Sequence, residues 1–437
     1  MQALSVLASL HRYHVSCSRP GYPSRLKTNS DVDQSAAATH PTDHVEKTAY
    51  TVIFAIAFCH LLNDMMQSLL PAIYPNLKAA YGLNFGQIGV VTLVYQITAS
   101  LLQPLVGLYA DRRPMPFSLP AGTLFTLSGL VVLGLAHNYP SLLVGACMLG
   151  MGSSVFHPES SRVARMAAGT RHGFAQSVFQ VGGNTGSAIG PLCAALVVVR
   201  WGQSSLVAFS LLALISTAIL WKVGLWYLRH GLARLASAKA RRRTAVPLPA
   251  RQVILGMSVL LALIFSKYFY LASLTSYYTF YLIHKFNVSV VDAQLHLFAF
   301  LAAVAVGTFA GGPLGDRFGR KTVIWFSILG ILPFTLLLPY ASLFWTGPLT
   351  VVIGIILASA FPAMVVYAQE LVVGKVGMVS GLMYGFSFGM GGLGAALLGE
   401  MADIKGLEFV YWISSFLPII GILAKWLPDV GATRSKY

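Results

Sequence analysis

Apolar runs of span length follow one another along almost the whole chain, and they decide what it can fold into. "VVIGIILASAFPAMVV" at 351–366 is part of one. A helix needs about 20 predominantly apolar residues to cross the hydrocarbon core of a bilayer. Hydrophobic residues make up 56% of the sequence and charged residues only 10%, against about 25% charged in a soluble domain. The runs predict twelve spans, at 49–75, 86–109, 117–136, 140–161, 174–199, 204–228, 252–283, 290–314, 321–340, 345–369, 376–399 and 407–427. The expected fold class is an all-α polytopic membrane protein.

The formal net charge of +16 would suit a nucleic-acid partner, but the placement of the basic residues argues against one. With residue 1 on the cytoplasmic side, Lys78, Arg200, Lys285 and Lys405 are the only outer-loop cations, Lys222 and Lys267 lie within spans, and the others fall inside. Basic residues concentrate in cytoplasmic loops, so both termini are expected in the cytoplasm. The partner this placement points to is the lipid bilayer, with no nucleic acid.

Residues 1–47 are polar and carry Arg and Lys but no acid before Asp31. They read as a disordered or non-native extension, with a faint likeness to a transit peptide. "RHGLARLASAKARRRTAVPLPAR" at 229–251 is the longest internal polar loop. It divides a first six-span half (48–228) from a second (252–427), and 428–437 form a tail. The halves repeat. "GLYADRR" at 107–113 corresponds to "GPLGDRF" at 312–318 with an offset of 205, and "HGFAQSVFQ" at 172–180 to "VGMVSGLMY" at 376–384 with an offset of 204. Paired halves are a transporter architecture, with the site near the midplane where they meet.

Few features suggest other chemistry. Cys17, Cys59, Cys147 and Cys193 are scattered and have no metal-ligand spacing. "GFSFG" at 385–389 fits a hydrolase elbow in letters only, because no strand precedes it. "GPLGDRFGRK" lacks the Lys-Ser/Thr ending of a phosphate loop. Neither an enzyme nor a resident cofactor or metal is expected.

Polar groups inside spans mark function by default. "HLLNDMMQSLLP" in span one sets His60, Asp64 and Gln67 at i, i+4 and i+7, on one helical face. In span four, Pro158 has no backbone N–H and frees the Ser154 carbonyl. His157 and Glu159 beside it would form a polar notch, and Arg162 stands one turn on as a pairing partner for Glu159. By helical rise, Asp64 and Glu159 sit at different depths, so they are expected to act in sequence along a path. Gln180 and Asn184 share a face of span five, while Lys267 and Tyr270 lie in span seven. Gly182, Gly186 and Gly190 recur every fourth residue, as close helix packing in lipid requires.

The two loops resemble the Gly-x-x-x-Asp-Arg-x-Gly-Arg-Lys signature of the major facilitator superfamily. Gly312, Asp316, Arg317, Gly319 and Arg320 belong to a complete copy, whereas the first copy keeps Gly107, Asp111 and Arg112 and then turns to Pro114 and Pro116. "HLLNDMMQSLLPAIYP", "QPLVGLYADRRPMPFSLP" and "GMGSSVFHPESSRVARMAAGTRHGFAQSVFQVGGNTGSAIGP" narrow the resemblance to the fosmidomycin-resistance branch, over 50 to 427. The resemblance implies two pseudo-symmetric six-helix halves in the inner (plasma) membrane. It implies efflux of a small drug-like or anionic compound such as fosmidomycin, driven by a proton gradient, and hence antibiotic resistance. It implies that Asp111 faces the start of span 11 and Asp316 the start of span 5, locking the halves on the inner side. Ala146 stands where the superfamily commonly carries an Arg. Proton coupling is therefore expected at Asp64, His60, His157 and Glu159, and substrate binding among Gln67, Gln180, Asn184, Lys267 and Tyr270. The chain is expected to work as a monomer. An importer or symporter of a small anionic metabolite would use the same fold.

Overall fold

The computed structural model describes residues 48–83, 85–233 and 248–429. The expected N-terminal extension, most of the linker and most of the C-terminal tail lie outside the described residues. Every regular element among the described residues is helical. Helix α1 is Tyr50–Ala72. Helix α2 runs through Phe85–Gln96, a wide π turn at Ile97–Leu101, and Gln103–Arg112. Then come α3 (Ser118–Gly134), α4 (Tyr139–Ala167), α5 (His172–Cys193), α6 (Ser210–Trp226), α7 (Ala250–Phe286), α8 (Val290–Phe318), α9 (Arg320–Leu329), α10 (Leu343–Leu371), α11 (Val376–Lys405) and α12 (Leu407–Ser414, extended by Leu417–Trp426). Ten of the helical stretches are long and apolar enough to cross a membrane. The shorter α3, together with α5, fills the two remaining places in a twelve-helix fold.

Local chemistry sets several ends. Asn138 opens α4 with a reciprocal cap: its Oδ1 accepts from the Ser141 backbone N–H at 2.9 Å, and its own N–H donates to Ser141 Oγ at 3.3 Å. The π turn of α2 precedes Pro104, whose missing N–H cannot serve the turn before it. Asn287 ends α7 with a left-handed φ of 52°. Gly319 separates α8 from α9 at φ 88°, where a side chain would be strained.

Helix α4 departs from the expected span. It continues past 161 to Ala167 and passes through Pro158 without ending. Neighbouring helices enclose it there, since Ser153, Ser154, Phe156, His157, Glu159, Ser160 and Ser161 are all buried. Glu159 is therefore not a helix-end residue.

The halves meet along two seams, α2 against α11 and α5 against α8. Both seams are backbone against backbone at the end of the bundle that carries the basic loops. A Cβ on Gly107 would collide with the Gly377 carbonyl, and one on Gly312 with the Gly173 carbonyl. These are equivalent pairs under exchange of the halves. Within the first half, the glycine row of α5 lies on α1: Gly182 abuts the Ala57 carbonyl, Gly186 the Leu61 carbonyl and Gly190 the Ser68 hydroxyl. Each half has its own apolar core, and a third cluster runs between them through Phe179, Phe361 and Tyr384.

Candidate functional site

Helices α1, α4 and α5 bring three titratable side chains together. His60 Nε2 lies 3.3 Å from Asp64 Oδ2, and His157 Nε2 lies 3.5 Å from Asp64 Oδ1. Relative exposure is 1% for both histidines and 9% for Asp64. Each imidazole is fixed from behind. His60 Nδ1 is 2.7 Å from the Phe179 carbonyl, and His157 Nδ1 is 3.1 Å from the Ser153 carbonyl. The His60 ring stacks on Phe179 at 4.0 Å between centroids, and His157 sits against Tyr384 at 5.4 Å and Phe388 at 5.3 Å. Asn63 Nδ2 donates to Asp64 Oδ1 at 3.0 Å. Gly183 makes room for the cluster, because a Cβ there would enter the His60 ring and reach Asp64 Oδ2.

The shared face of His60 and Asp64 was visible as helical spacing. The arrival of His157, from a helix nearly a hundred residues away, was not. The notch expected at the Ser154 carbonyl is not what holds His157; its ring bonds the Ser153 carbonyl instead. His157 and Glu159 also part company, since residues two apart on a helix point to different sides. Glu159 is fully buried; its Oε1 accepts from Arg162 Nη1 at 3.1 Å and its Oε2 from Ser118 Oγ at 3.2 Å. Arg162 in turn places Nε 3.9 Å from Asp111 Oδ1. Glu159 thus belongs with the basic-end loop, not with Asp64. The ligand atoms of His60, Asp64 and His157 lie within 4.8 Å of one another, close enough to share a small cation. Reading the sequence for metal-ligand spacing did not find this grouping.

Gln67, one turn beyond Asp64, accepts from the Tyr95 hydroxyl at 2.9 Å, and its buried Nε2 has no hydrogen-bond partner. Gln180 and Asn184 bridge the halves. Gln180 Nε2 donates to Asn184 Oδ1 at 3.2 Å, and Asn184 Nδ2 donates to Thr308 Oγ1 of α8 at 3.2 Å. Tyr384 of α11 donates to Gln180 Oε1 at 2.9 Å and accepts from Gln176 Nε2 at 2.5 Å. Lys267 is 4% exposed and forms no ion pair among the described residues. Its ammonium lies 5.2 Å from the Phe361 ring and 5.5 Å from that of Tyr268. Phe361 touches Tyr384, with centroids 5.2 Å apart, so Lys267 borders the same aromatic cluster as His157. Tyr270 does not join it. It is packed in the core of the second half with Leu274, Tyr278 and Tyr411.

At the basic end, two carboxylates cap helices of the opposite half. Asp111 accepts from the backbone N–H of Gly377 at 3.0 Å and of Met378 at 2.9 Å. Asp316 accepts from Gly173 at 3.0 Å and Phe174 at 3.1 Å. Anions are favoured at helix N-termini, where free N–H groups point outward. Arg320 Nη2 holds Asp316 Oδ1 at 3.2 Å and Glu370 Oε1 at 3.2 Å, and Arg165 reaches Glu370 at 3.7 Å and Gln369 at 3.3 Å. Arg162, set by its spacing one turn from Glu159, and Arg165 are both built into this network. Arg317 lies over the Phe318 ring at 5.3 Å, while Arg112 ends α2 beside Asp111. Tyr384, Gly183, Ser118 and Glu370 escaped the sequence reading. Only Tyr384 carried a signal, its repeat correspondence with Gln180.

A profile of the Major Facilitator Superfamily matches residues 56–289 and 265–436. The chain is 56% identical over 400 residues to the fosmidomycin resistance protein of Escherichia coli, covering 92% of this chain and 98% of that one. It is 41% identical over 383 residues to the uncharacterized MFS-type transporter YfnC of Bacillus subtilis, covering 87% and 94%. Among solved structures, the transporter FucP in the outward conformation aligns with a TM-score of 0.66 at 15% identity, covering 86% of this chain and 98% of that one. The human organic anion transporter MFSD10 aligns with a TM-score of 0.68 at 16% identity, covering 88% and 100%.

Proposed function

The chain belongs to the Major Facilitator Superfamily, and from that premise we propose that it exports a small anionic compound such as fosmidomycin in exchange for protons. It is a multi-pass membrane transporter and not an enzyme. The basic end faces the cytoplasm, both termini with it, in the plasma membrane of the cell, and the protein works as a monomer. The six-helix halves at 48–228 and 252–427, joined by the basic linker, rock about the seams α2–α11 and α5–α8.

One observation carries the coupling: a single buried carboxylate, Asp64, set between two imidazoles that each present Nε2 to it. Protons reach this cluster from outside while the basic end is latched. A proton there cancels buried charge, and a state with less buried charge costs less to close over. The protons leave towards the cytoplasm once the Asp111 and Asp316 latches part. Substrate occupies the space beside the cluster, with Lys267 as the cation for its anionic group and Gln67 Nε2 as a free donor. The name of the Escherichia coli relative supports fosmidomycin as the first compound to try.

The test uses the full chain in liposomes with an imposed pH gradient. Fosmidomycin should move against its own gradient in the wild type. Asp64→Asn should abolish uphill movement while still exchanging labelled for unlabelled substrate. Wild-type uphill rates in Asp64→Asn would overturn the proton site. Accumulation inside right-side-out vesicles, driven by inward proton flow, would replace export with symport.

A further inference from the structure

We propose that His60, Asp64 and His157 form a binding site for a divalent transition-metal ion of the zinc class, with three protein ligands and one open position. The ion is an external ligand of the transporter, not a resident cofactor.

Each imidazole turns its Nδ1 to a backbone carbonyl, His60 to Phe179 at 2.7 Å and His157 to Ser153 at 3.1 Å. A carbonyl oxygen only accepts, so the ring hydrogen sits on Nδ1 and the lone pair on Nε2. A hydrogen bond of this kind orients a metal-ligating histidine from behind and fixes its tautomer. Both Nε2 atoms are buried and have no hydrogen-bond partner among the described residues. Both face one carboxylate, His60 Nε2 at 3.3 Å from Asp64 Oδ2 and His157 Nε2 at 3.5 Å from Oδ1. The two rings meet at 82° with centroids 5.1 Å apart, so their lone pairs reach the carboxylate from separate directions.

The distances suit an ion held between the groups. A charge-assisted N–H···O bond would be about 2.7–2.9 Å long. In a tetrahedral zinc site with bonds of about 2.0–2.1 Å, neighbouring ligand atoms stand about 3.3–3.4 Å apart. The two nitrogen–oxygen distances are close to that edge, and the ligand atoms all lie within 4.8 Å of one another. Gly183 keeps the gap open. A Cβ there would fall 2.5 Å from His60 Nε2 and 2.8 Å from Asp64 Oδ2, in the place the ion would take. The carboxylate is held as well, since Asn63 Nδ2 donates to Oδ1 at 3.0 Å.

The ligand set selects the ion. Imidazole suits zinc, copper, iron and nickel, whereas magnesium and calcium prefer oxygen alone. Two histidines and one carboxylate also leave a fourth tetrahedral position for water. The rings of Phe179, Tyr384 and Phe388 around the histidines bring no competing ligand, and the Tyr384 hydroxyl is committed to Gln180. A bound ion would staple α1 to α4 within the first half. Its effect on transport rests on the proton-coupled reading above: an ion that takes Asp64 withdraws it from coupling, so zinc should stop export.

The test uses the full chain in detergent with cobalt as the probe, because four-coordinate cobalt absorbs visible light and zinc displaces it. One cobalt per chain is expected. Asp64→Asn and His157→Ala should each weaken binding by more than the roughly 10–100-fold typical when a hydrogen bond behind a ligand is lost. Ser153→Ala should bind as the wild type does, because the carbonyl is the anchor. A measurement on the wild type alone guards against misfolded variants. X-ray absorption of the zinc-loaded protein should show two imidazoles with all ligands at about 2.0–2.2 Å. Fewer than two imidazoles around zinc, no stoichiometric cobalt in the wild type, or unchanged affinity in His157→Ala overturns the proposal. In liposomes, zinc at a concentration that fills the site should halt fosmidomycin export. Export that continues with the two-imidazole shell formed leaves the site standing and overturns the coupling role of Asp64 instead.

Discussion

Gln180 and Tyr384 hold corresponding positions in the two repeats, and they are bonded to each other, the Tyr384 hydroxyl donating to Gln180 Oε1 at 2.9 Å. A pair related by the repeat and joined across it lies where the two halves meet. The same hydroxyl accepts from Gln176 and the ring walls His157. Tyr384→Phe keeps the ring and strips the hydroxyl, leaving Gln180 Oε1 and one Gln176 amide hydrogen unpaired. Each buried unpaired group costs about 1–3 kcal/mol. The variant should unfold at lower temperature in detergent, and a cysteine probe at the basic end should label faster. Unchanged labelling would remove Tyr384 from the closure.

Adjacent glycines of α5 should fail in different ways. Gly183→Ala puts a methyl into the His60 ring and against Asp64 Oδ2. It should leave expression near normal and abolish proton-driven transport. Gly182→Ala drives a methyl into the Ala57 backbone carbonyl, which cannot turn aside. It should lower the yield of folded protein. Comparing membrane expression with resistance conferred on a sensitive host separates the two.

Glu159→Gln should read as a stability variant. Arg162 is 3% exposed and loses its nearest counter-charge, keeping only Asp111 at 3.9 Å. Removing one partner of a buried pair costs about 3–5 kcal/mol. Thermal unfolding should drop accordingly, and the double variant Glu159→Gln/Arg162→Gln should recover part of it. The proton stoichiometry of the protein that remains folded should match the wild type.

Lys267→Gln should raise the KM for an anionic substrate about tenfold, an estimate based on a charge-assisted hydrogen bond of about 1.5–3 kcal/mol reduced to a neutral one. Concentration-dependent uptake checks this.

The sequence carried the helical class, the repeat and the places of both Asp-Arg loops, because these follow from composition and from local spacing. His60 and Asp64 were legible as partners because i, i+4 geometry is fixed by the helix itself. His157 was legible as an intramembrane polar group, but its orientation was not. Which side of α4 meets α1 depends on packing, and Pro158 drew attention to the wrong carbonyl. Gln180 and Asn184 looked like cavity residues for the same reason. Their amides are consumed in joining the halves, which no spacing within α5 reveals. Tyr270 and Lys267 are three apart on one helix, yet one enters the core of the second half and the other the aromatic cluster.

The twin caps at the basic end have an energetic consequence. Each half lends one acid and receives one, so parting the halves at this end breaks both caps. An acid at a helix N-terminus is worth about 0.3–1 kcal/mol, so the closed form carries this term twice. The same parting separates backbones that touch at Gly107 and Gly312, where a side chain larger than hydrogen would already hold the halves ajar.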